Sequence, residues 1–329
     1  MAETVNIGEI SARLSKDIFK YFFWEAHPKT DDNFQCVNGD HASEKSKPLA
    51  THPCDVVFHY LDPYMGKRVY LHTDLKSYAK DSITSTKLRT ALRSLCLAVD
   101  CARFSTSWAE KYTLGDGGAY DVRGLLFVYN HDNKYEKDFG NAISKIDLQK
   151  LPIATGTQLH FLGPGDIKRL YSIANDIIRL KGEGELPSKY TFYYPDLVMT
   201  RRQVGGWEQA ATIEVLTSPY IIIRHDENSN GLAGYVIYYN APAATSEEFE
   251  YFLDSLSRFQ MLETSSRILI KVTSQSAPDD LKSVFSRAKN KYVKAWGFDS
   301  YRAEILHRIE IERITSMTST YNPGDIGWR

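Results

Sequence analysis

The 329-residue chain predicts a two-domain α/β protein. Three observations carry this. Helix-period and strand-type segments alternate from residue 7 to about 180 in the order helix, three strands, helix, strand. A Gly-, Glu- and Pro-containing break follows at residues 181–188, and a second alternation of strands and amphipathic segments fills the rest. The expected domains are therefore residues 1–184 and a smaller α/β domain, residues 185–329.

The first helix is expected over residues 7–24, where Ile10, Leu14, Ile18, Tyr21 and Phe22 recur at spacings of three and four before Pro28. A polar segment, residues 29–51, holds one strand at 33–37 and is otherwise the expected flexible loop. Two strands, 55–61 and 67–77, flank Asp62-Pro63-Tyr64-Met65-Gly66, whose proline and glycine favour a hairpin turn. Residues 85–104 form the next helix, with Leu88, Leu92, Leu95, Val99 and Ala102 along one side. Residues 124–129 read as a buried strand. A further strand at 158–162 and a helix at 166–180 complete the first domain.

Beyond the break, strands are expected at 190–194, 220–224 and 235–239. Next come a helix opened by the capping box of Thr245 and Glu248, a strand at 267–272, a helix from Pro278 to about Trp296, and a last strand at 304–314. This pattern suggests a sandwich whose sheet is covered by helices on one side.

With 40 basic and 41 acidic residues the formal net charge is −1, which excludes a protein that coats nucleic acid by bulk charge while leaving room for a local basic groove. No run of eighteen apolar residues occurs, and residues 1–8 lack the order of a secretory signal. A soluble, cytoplasmic protein without membrane attachment is expected. Four cysteines without dense spacing point to reduced thiols. No P-loop, dinucleotide loop or G-x-S-x-G motif is present, so nucleotide hydrolysis and serine hydrolase chemistry have no support.

The chemistry concentrates in two places: Asp55, which opens one hairpin strand, and Asp74-Leu75-Lys76, which closes the other. Residues two apart on a strand share a face, so Asp74 and Lys76 project together while Leu75 turns away. Two carboxylates and an ammonium at one point suit a hard divalent cation and a phosphodiester substrate. The simpler reading of the same residues is a solvated surface pair worth about 0–1 kcal/mol.

With its acid, acid-x-Lys and surrounding αβββαβ order, the segment from Ile7 to about Tyr129 resembles the PD-(D/E)xK nuclease superfamily. The resemblance implies a restriction-endonuclease-like core with a mixed sheet and a Mg²⁺- or Mn²⁺-dependent endonuclease. Asp55 and Asp74 would be the metal ligands, Lys76 would support the attacking water, and Glu9 would be the additional acid on the first helix, with Glu25 its rival. A cysteine separates Pro53 from Asp55, a departure from the family pattern. The implied substrate is nucleic acid, DNA rather than RNA. The implied setting is restriction or antiviral defence, with a protein partner or activator and a homo-oligomer both compatible. The alternative, from another class, is a catalytically silent interaction protein that keeps the core as a scaffold.

Lys80, Lys87, Arg89 and Arg93 could form a phosphate-binding wall, although three basic residues off a helix stripe also make an ordinary solvated face. Cys36, His41, His52 and Cys54 raise zinc. Their spacing, C-x4-H-x10-H-x-C, lacks the close pairs of structural zinc sites and reads as a polar loop with incidental ligands. In the second domain Tyr190, Phe192, Tyr193 and Tyr194 could stack bases, and Arg201, Arg202, Arg287, Lys289, Lys291 and Lys294 could touch phosphates. Sheet packing and solvated charge are the simpler readings. Partner binding, oligomerisation and nucleic-acid recognition all remain open for residues 185–329.

Overall fold

A computed structural model describes residues 2–43, 46–115, 117–195, 208–262, 266–295, 297 and 300–325. The chain groups into two compact units, Met1–Tyr171 with Thr318–Arg329, and Ser172–Met317.

The first unit begins with α1 (Ala2–Asp17) and a 3₁₀ turn, Phe19–Phe22. The regular helix is thus shorter at its end than its apolar periodicity suggests. Phe23 takes a left-handed conformation (φ 60°), and Trp24 leads straight into β1 (Glu25–Ala26). Aromatic packing overrides the helical register here: Phe19 stacks on Trp24 at 4.9 Å and meets Phe58 at 4.6 Å, and Trp24 stacks on Tyr60 at 5.1 Å. Consequently Glu25 lies on a strand and not on the first helix.

Strands β2 (Phe34–Gln35) and β3 (Thr51–His52) pair only with each other. The strand expected at 33–37 is therefore outside the main sheet, and β1 takes its place as the first of three core strands. That sheet contains β4 (Val56–Asp62), β5 (Lys67–Tyr78), β6 (Tyr120–Asn130) and β7 (Leu159–Leu162) in the order β1-β4-β5-β6-β7. It is mixed: β1 pairs with β4 and β4 with β5 antiparallel, whereas β5, β6 and β7 are parallel. The hairpin turn forms because Asp62 Oδ1 accepts from the backbone N–H groups of Tyr64 (2.8 Å) and Met65 (3.0 Å), while Gly66 supplies a φ of 61°.

The parallel step from β5 to β6 is made by α2 (Ser85–Ala102), capped by the Thr84 side chain, and α3 (Thr106–Tyr112). Leu88, Leu92, Leu95 and Val99 pack against Leu126 and Val128. Helix and strand approach closely at Gly124, where an added Cβ would lie 2.6 Å from Leu159 Cδ2 and 2.9 Å from Val99 Cγ2. Two more helices, α4 (Phe139–Ile143) and α5 (Pro164–Gly182), complete this part of the chain.

In the second unit, β8 (Tyr190–Phe192), β9 (Tyr220–His225), β10 (Gly234–Tyr239), β11 (Arg267–Val272) and β12 (Glu310–Arg313) form one sheet in the order β12-β11-β10-β9-β8. Among the described residues, its helices include α6 (Ile213–Leu216), α7 (Ser246–Arg258), α8 (Leu281–Ala295) and α9 (Ser300–His307). Ile237, Tyr239, Ile268, Ile270 and Val272 pack with Phe249, Phe252, Val284 and Phe285 on one face. The alternate residues Tyr238 and Lys271 meet Asp176 of α5, the tyrosine hydroxyl donating at 3.1 Å and the ammonium lying 3.8 Å away. Both sheet faces are therefore covered, not one. The strand expected at 304–314 is divided: its first residues belong to α9, where Leu306 reaches the core and Arg308 pairs with Glu304 at 2.6 Å, one helical turn apart.

Candidate active site

The Cα partner of Val56 in β4 is Thr73 in β5. One step outward on each strand sets Asp55 opposite Asp74, and cross-strand neighbours share a face. Val57 and Tyr70, which lie in register with these residues at spacings of two and four, pack with Ala98 and Cys101 of α2. Asp55, Asp74 and Lys76 thus belong to the α2 side of the sheet. Asp55 and Asp74 line a small cleft with Pro53, His72, Thr73, Ser94, Leu95 and Ala98.

The site lies where β4 begins and β5 runs on past it. Leu75 N–H donates to Asp55 Oδ2 at 2.7 Å, so the carboxylate takes a hydrogen bond at the edge of β5 just beyond the β4–β5 ladder. This contact fixes Asp55 relative to Asp74. Burial, then repulsion from Asp74, pushes the Asp55 carboxyl up to about 7. Lys76 is ion-paired with Asp74. Burial alone would lower the lysine, but the Asp74 and Asp55 carboxylates outweigh it and hold the ammonium above its usual value. A carboxyl driven toward protonation beside a carboxylate is a donor set that a divalent cation would relieve, because the cation supplies the charge the second ionisation needs.

The other candidate residues are placed less centrally. Glu9 is exposed on α1 and, among the described residues, shares no hydrogen bond or ion pair with Asp55, Asp74 or Lys76. Glu25 is exposed in β1, with His59 as its cross-strand neighbour. Lys87 lies over the Tyr78 ring at 5.6 Å and donates to Ser82 Oγ at 3.0 Å. It lies seven positions before Ser94, about two helical turns, so it shares the α2 face that lines the cleft. Arg89 and Arg93 fall on another side of that helix, and Lys80 is exposed in a short 3₁₀ turn, Lys80–Ser82.

Tyr190, Phe192, Tyr193 and Tyr194 are all buried, which removes them as a base-stacking platform. Lys291 pairs with Glu247 at 2.7 Å and Glu250 at 3.2 Å, and Arg287 with Asp280 at 3.5 Å. Arg201 and Arg202 lie outside the described residues.

Three of the four zinc candidates do converge. Cys36, His41 and His52 meet at one point, but their fourth companion is Cys101 from α2. Cys54 packs with Phe34, Val57, Trp108 and Tyr112. Sequence proximity favoured Cys54; the pairing of β2 with β3 against the end of α2 selects Cys101, which lies 49 positions beyond His52 and carries no local signal.

The five-stranded mixed sheet with α2 packed on it is a restriction-endonuclease-like core, and Asp55, Asp74 and Lys76 lie together on it. The family model described as the GAPS4 protein PD-(D/E)XK nuclease domain matches residues 1–166, just over half of the chain, and the chain belongs to that family. No curated protein and no solved structure matches it significantly. Among the described residues no helix is long and apolar enough to cross a membrane.

Proposed function

We propose that the protein is a metal-dependent endonuclease that hydrolyses phosphodiester bonds, in DNA rather than RNA, with Asp55, Asp74 and Lys76 as its working residues. The observation that carries this reading is the cross-strand placement of Asp55 and Asp74 on one sheet face with Lys76 two residues on. Asp55 and Asp74 would hold Mg²⁺ or Mn²⁺, with Glu9 as a further acid from α1. Such an ion polarises a phosphate oxygen and lowers the pKa of a bound water. Lys76 orients the attacking water and places positive charge where the phosphorane gathers negative charge. Lys87, with Lys80, Arg89 and Arg93 further out, would track the backbone through phosphate contacts.

Residues 185–329 are proposed as an accessory domain for partner binding or oligomerisation. The burial of their aromatic run and the ion pairs of Arg287 and Lys291 favour this over base reading. A nuclease licensed by a partner suits a cytoplasmic defence effector.

The test uses the full-length chain with plasmid, linear, single-stranded DNA and RNA substrates, with and without Mg²⁺ or Mn²⁺, beside Asp74→Ala and Lys76→Ala. Metal-dependent cleavage should fall by a factor of about 10²–10³ in Lys76→Ala, the usual loss for one transition-state donor, and further in Asp74→Ala. Equal cleavage by all three proteins refutes the assignment. Silence of the wild type on every substrate with either metal and with its partner present points to the scaffold reading.

A further inference from the structure

We propose that Cys36, His41, His52 and Cys101 form a structural zinc site, separate from the carboxylate site and independent of its assignment. The four ligand atoms all lie within 4.8 Å of one another. Four of the six separations match a tetrahedral cage, and the two from His52 Nε2 to the sulfurs lie within 4.8 Å. Zn–S bonds of about 2.3 Å and Zn–N bonds of about 2.05 Å at tetrahedral angles place sulfur from sulfur at about 3.8 Å, sulfur from nitrogen at about 3.6 Å, and nitrogen from nitrogen at about 3.3 Å. The corresponding distances here are 3.6 Å for Cys36 Sγ to Cys101 Sγ, 3.6 and 3.3 Å for His41 Nδ1 to Cys36 Sγ and Cys101 Sγ, and 3.3 Å for His41 Nδ1 to His52 Nε2.

The surrounding hydrogen bonds orient the donors as a zinc site requires. His41 Nε2–H donates to Asp100 Oδ2 at 3.0 Å, which leaves the Nδ1 lone pair directed at the cluster. Asn38 Nδ2 donates to the same carboxylate oxygen at 3.3 Å, and the Val37 backbone N–H donates to Cys101 Sγ at 3.4 Å. A carboxylate behind a ligating histidine and an amide directed at a ligating sulfur are the outer contacts that hold such ligands in place. His41, His52 and Cys101 are buried and Cys36 is partly so. Two soft sulfurs and two imidazoles in this geometry select zinc over the hard cations suited to Asp55 and Asp74.

The site has a structural task. Between β2 and β3 the sequence is long and polar, and the cluster ties Cys36, His41 and His52 from this stretch to the last turn of α2. His52 is three residues before Asp55, so the same tie fixes the approach to the carboxylate site. On loading, both thiols give up their protons to solvent and the imidazoles bind neutral.

The test is zinc content by mass spectrometry of the full-length protein, purified without chelator or metal-affinity resin. The expected result is one zinc per chain in the wild type and in Asp74→Ala, and a loss of at least tenfold in Cys101→Ser and in His52→Ala. Because a ligand variant could lose metal by misfolding, Co²⁺ is also added to metal-free wild type under reducing conditions. Tetrahedral ligand-field bands with thiolate charge-transfer absorption, displaced by equimolar Zn²⁺, are expected. The proposal is overturned if the wild type neither carries nor takes up zinc, if Cys101→Ser keeps its zinc, or if thiol-blocked wild type contains a Cys36–Cys101 disulfide.

Discussion

Replacing Asp55 by Asn should stabilise the metal-free nuclease unit at neutral and alkaline pH. In the folded protein, burial and the Asp74 carboxylate raise Asp55 from 3.8 to about 7. A raised acid pKa means that the native state keeps a proton which the unfolded state has released. Stability attributable to this group is therefore greatest below about pH 4 and falls between pH 4 and 7, staying low above that. The rise from 3.8 to about 7 corresponds to about 4 kcal/mol at most, and partial exposure reduces the expected effect to roughly 1–3 kcal/mol. Asn keeps an acceptor for Leu75 N–H and loses the titration, so the variant should exceed the wild type by that amount at pH 8 and by nearly nothing at pH 4. The assay is denaturant-dependent hydrogen exchange of the β5 amides, which reads this unit alone, in buffers free of Mg²⁺. Saturating Mg²⁺ should then stabilise the wild type, by about 2.7 kcal/mol at a hundred times the dissociation constant, and leave Asp55→Asn unchanged. A variant less stable than the wild type at pH 8, or a difference that does not vary with pH, would refute the raised titration of Asp55 by burial and by Asp74.

His72 should show the opposite pH trend. Complete burial lowers it to about 3, and its Nδ1 accepts from Trp108 Nε1–H at 3.1 Å, so the fold holds a neutral ring and loses stability as pH drops below about 6.5 toward 3. An NMR titration should find the ring neutral down to about pH 4; a midpoint near 6.5 contradicts it. Gly124→Ala should cost about 1–3 kcal/mol by overpacking the α2–β6 contact, seen as a lower urea midpoint, and an unchanged midpoint would mean that Leu159 and Val99 yield freely.

The hairpin that carries the site was legible because every local signal agreed with the tertiary outcome. Strand-type runs, an Asp-Pro…Gly turn and a single apolar face for α2 all point the same way. Legibility failed where packing opposed periodicity. Residues 18–24 continue the spacing of an amphipathic helix, yet α1 stops so that Phe19 and Trp24 stack on each other and pack against Phe58 and Tyr60, with Phe22 buried beside them in the sequence. Likewise Ile305, His307, Ile309 and Ile311 alternate like a strand, but Leu306 at an intervening position is buried as well, and only a helical turn followed by a strand satisfies both sets.

The two candidate metal sites differ in what a sequence can disclose about them. Asp55, Asp74 and Lys76 sit on the adjacent strands of one hairpin, so the period-two rule and one turn suffice to bring them together. The soft-ligand cluster draws its fourth member from the end of a helix whose other cysteine, Cys96, is packed in the core. On the helix alone, Cys96 and Cys101 are both small buried residues, and nothing in their spacing separates a ligand from a filler. The distinction is made by Asp100 and Val37, whose contacts with His41 and Cys101 exist only once β2, β3 and α2 have docked. A substitution at Asp100 should therefore weaken metal retention without touching any ligand, which is the mark of a site built by the fold rather than by a motif.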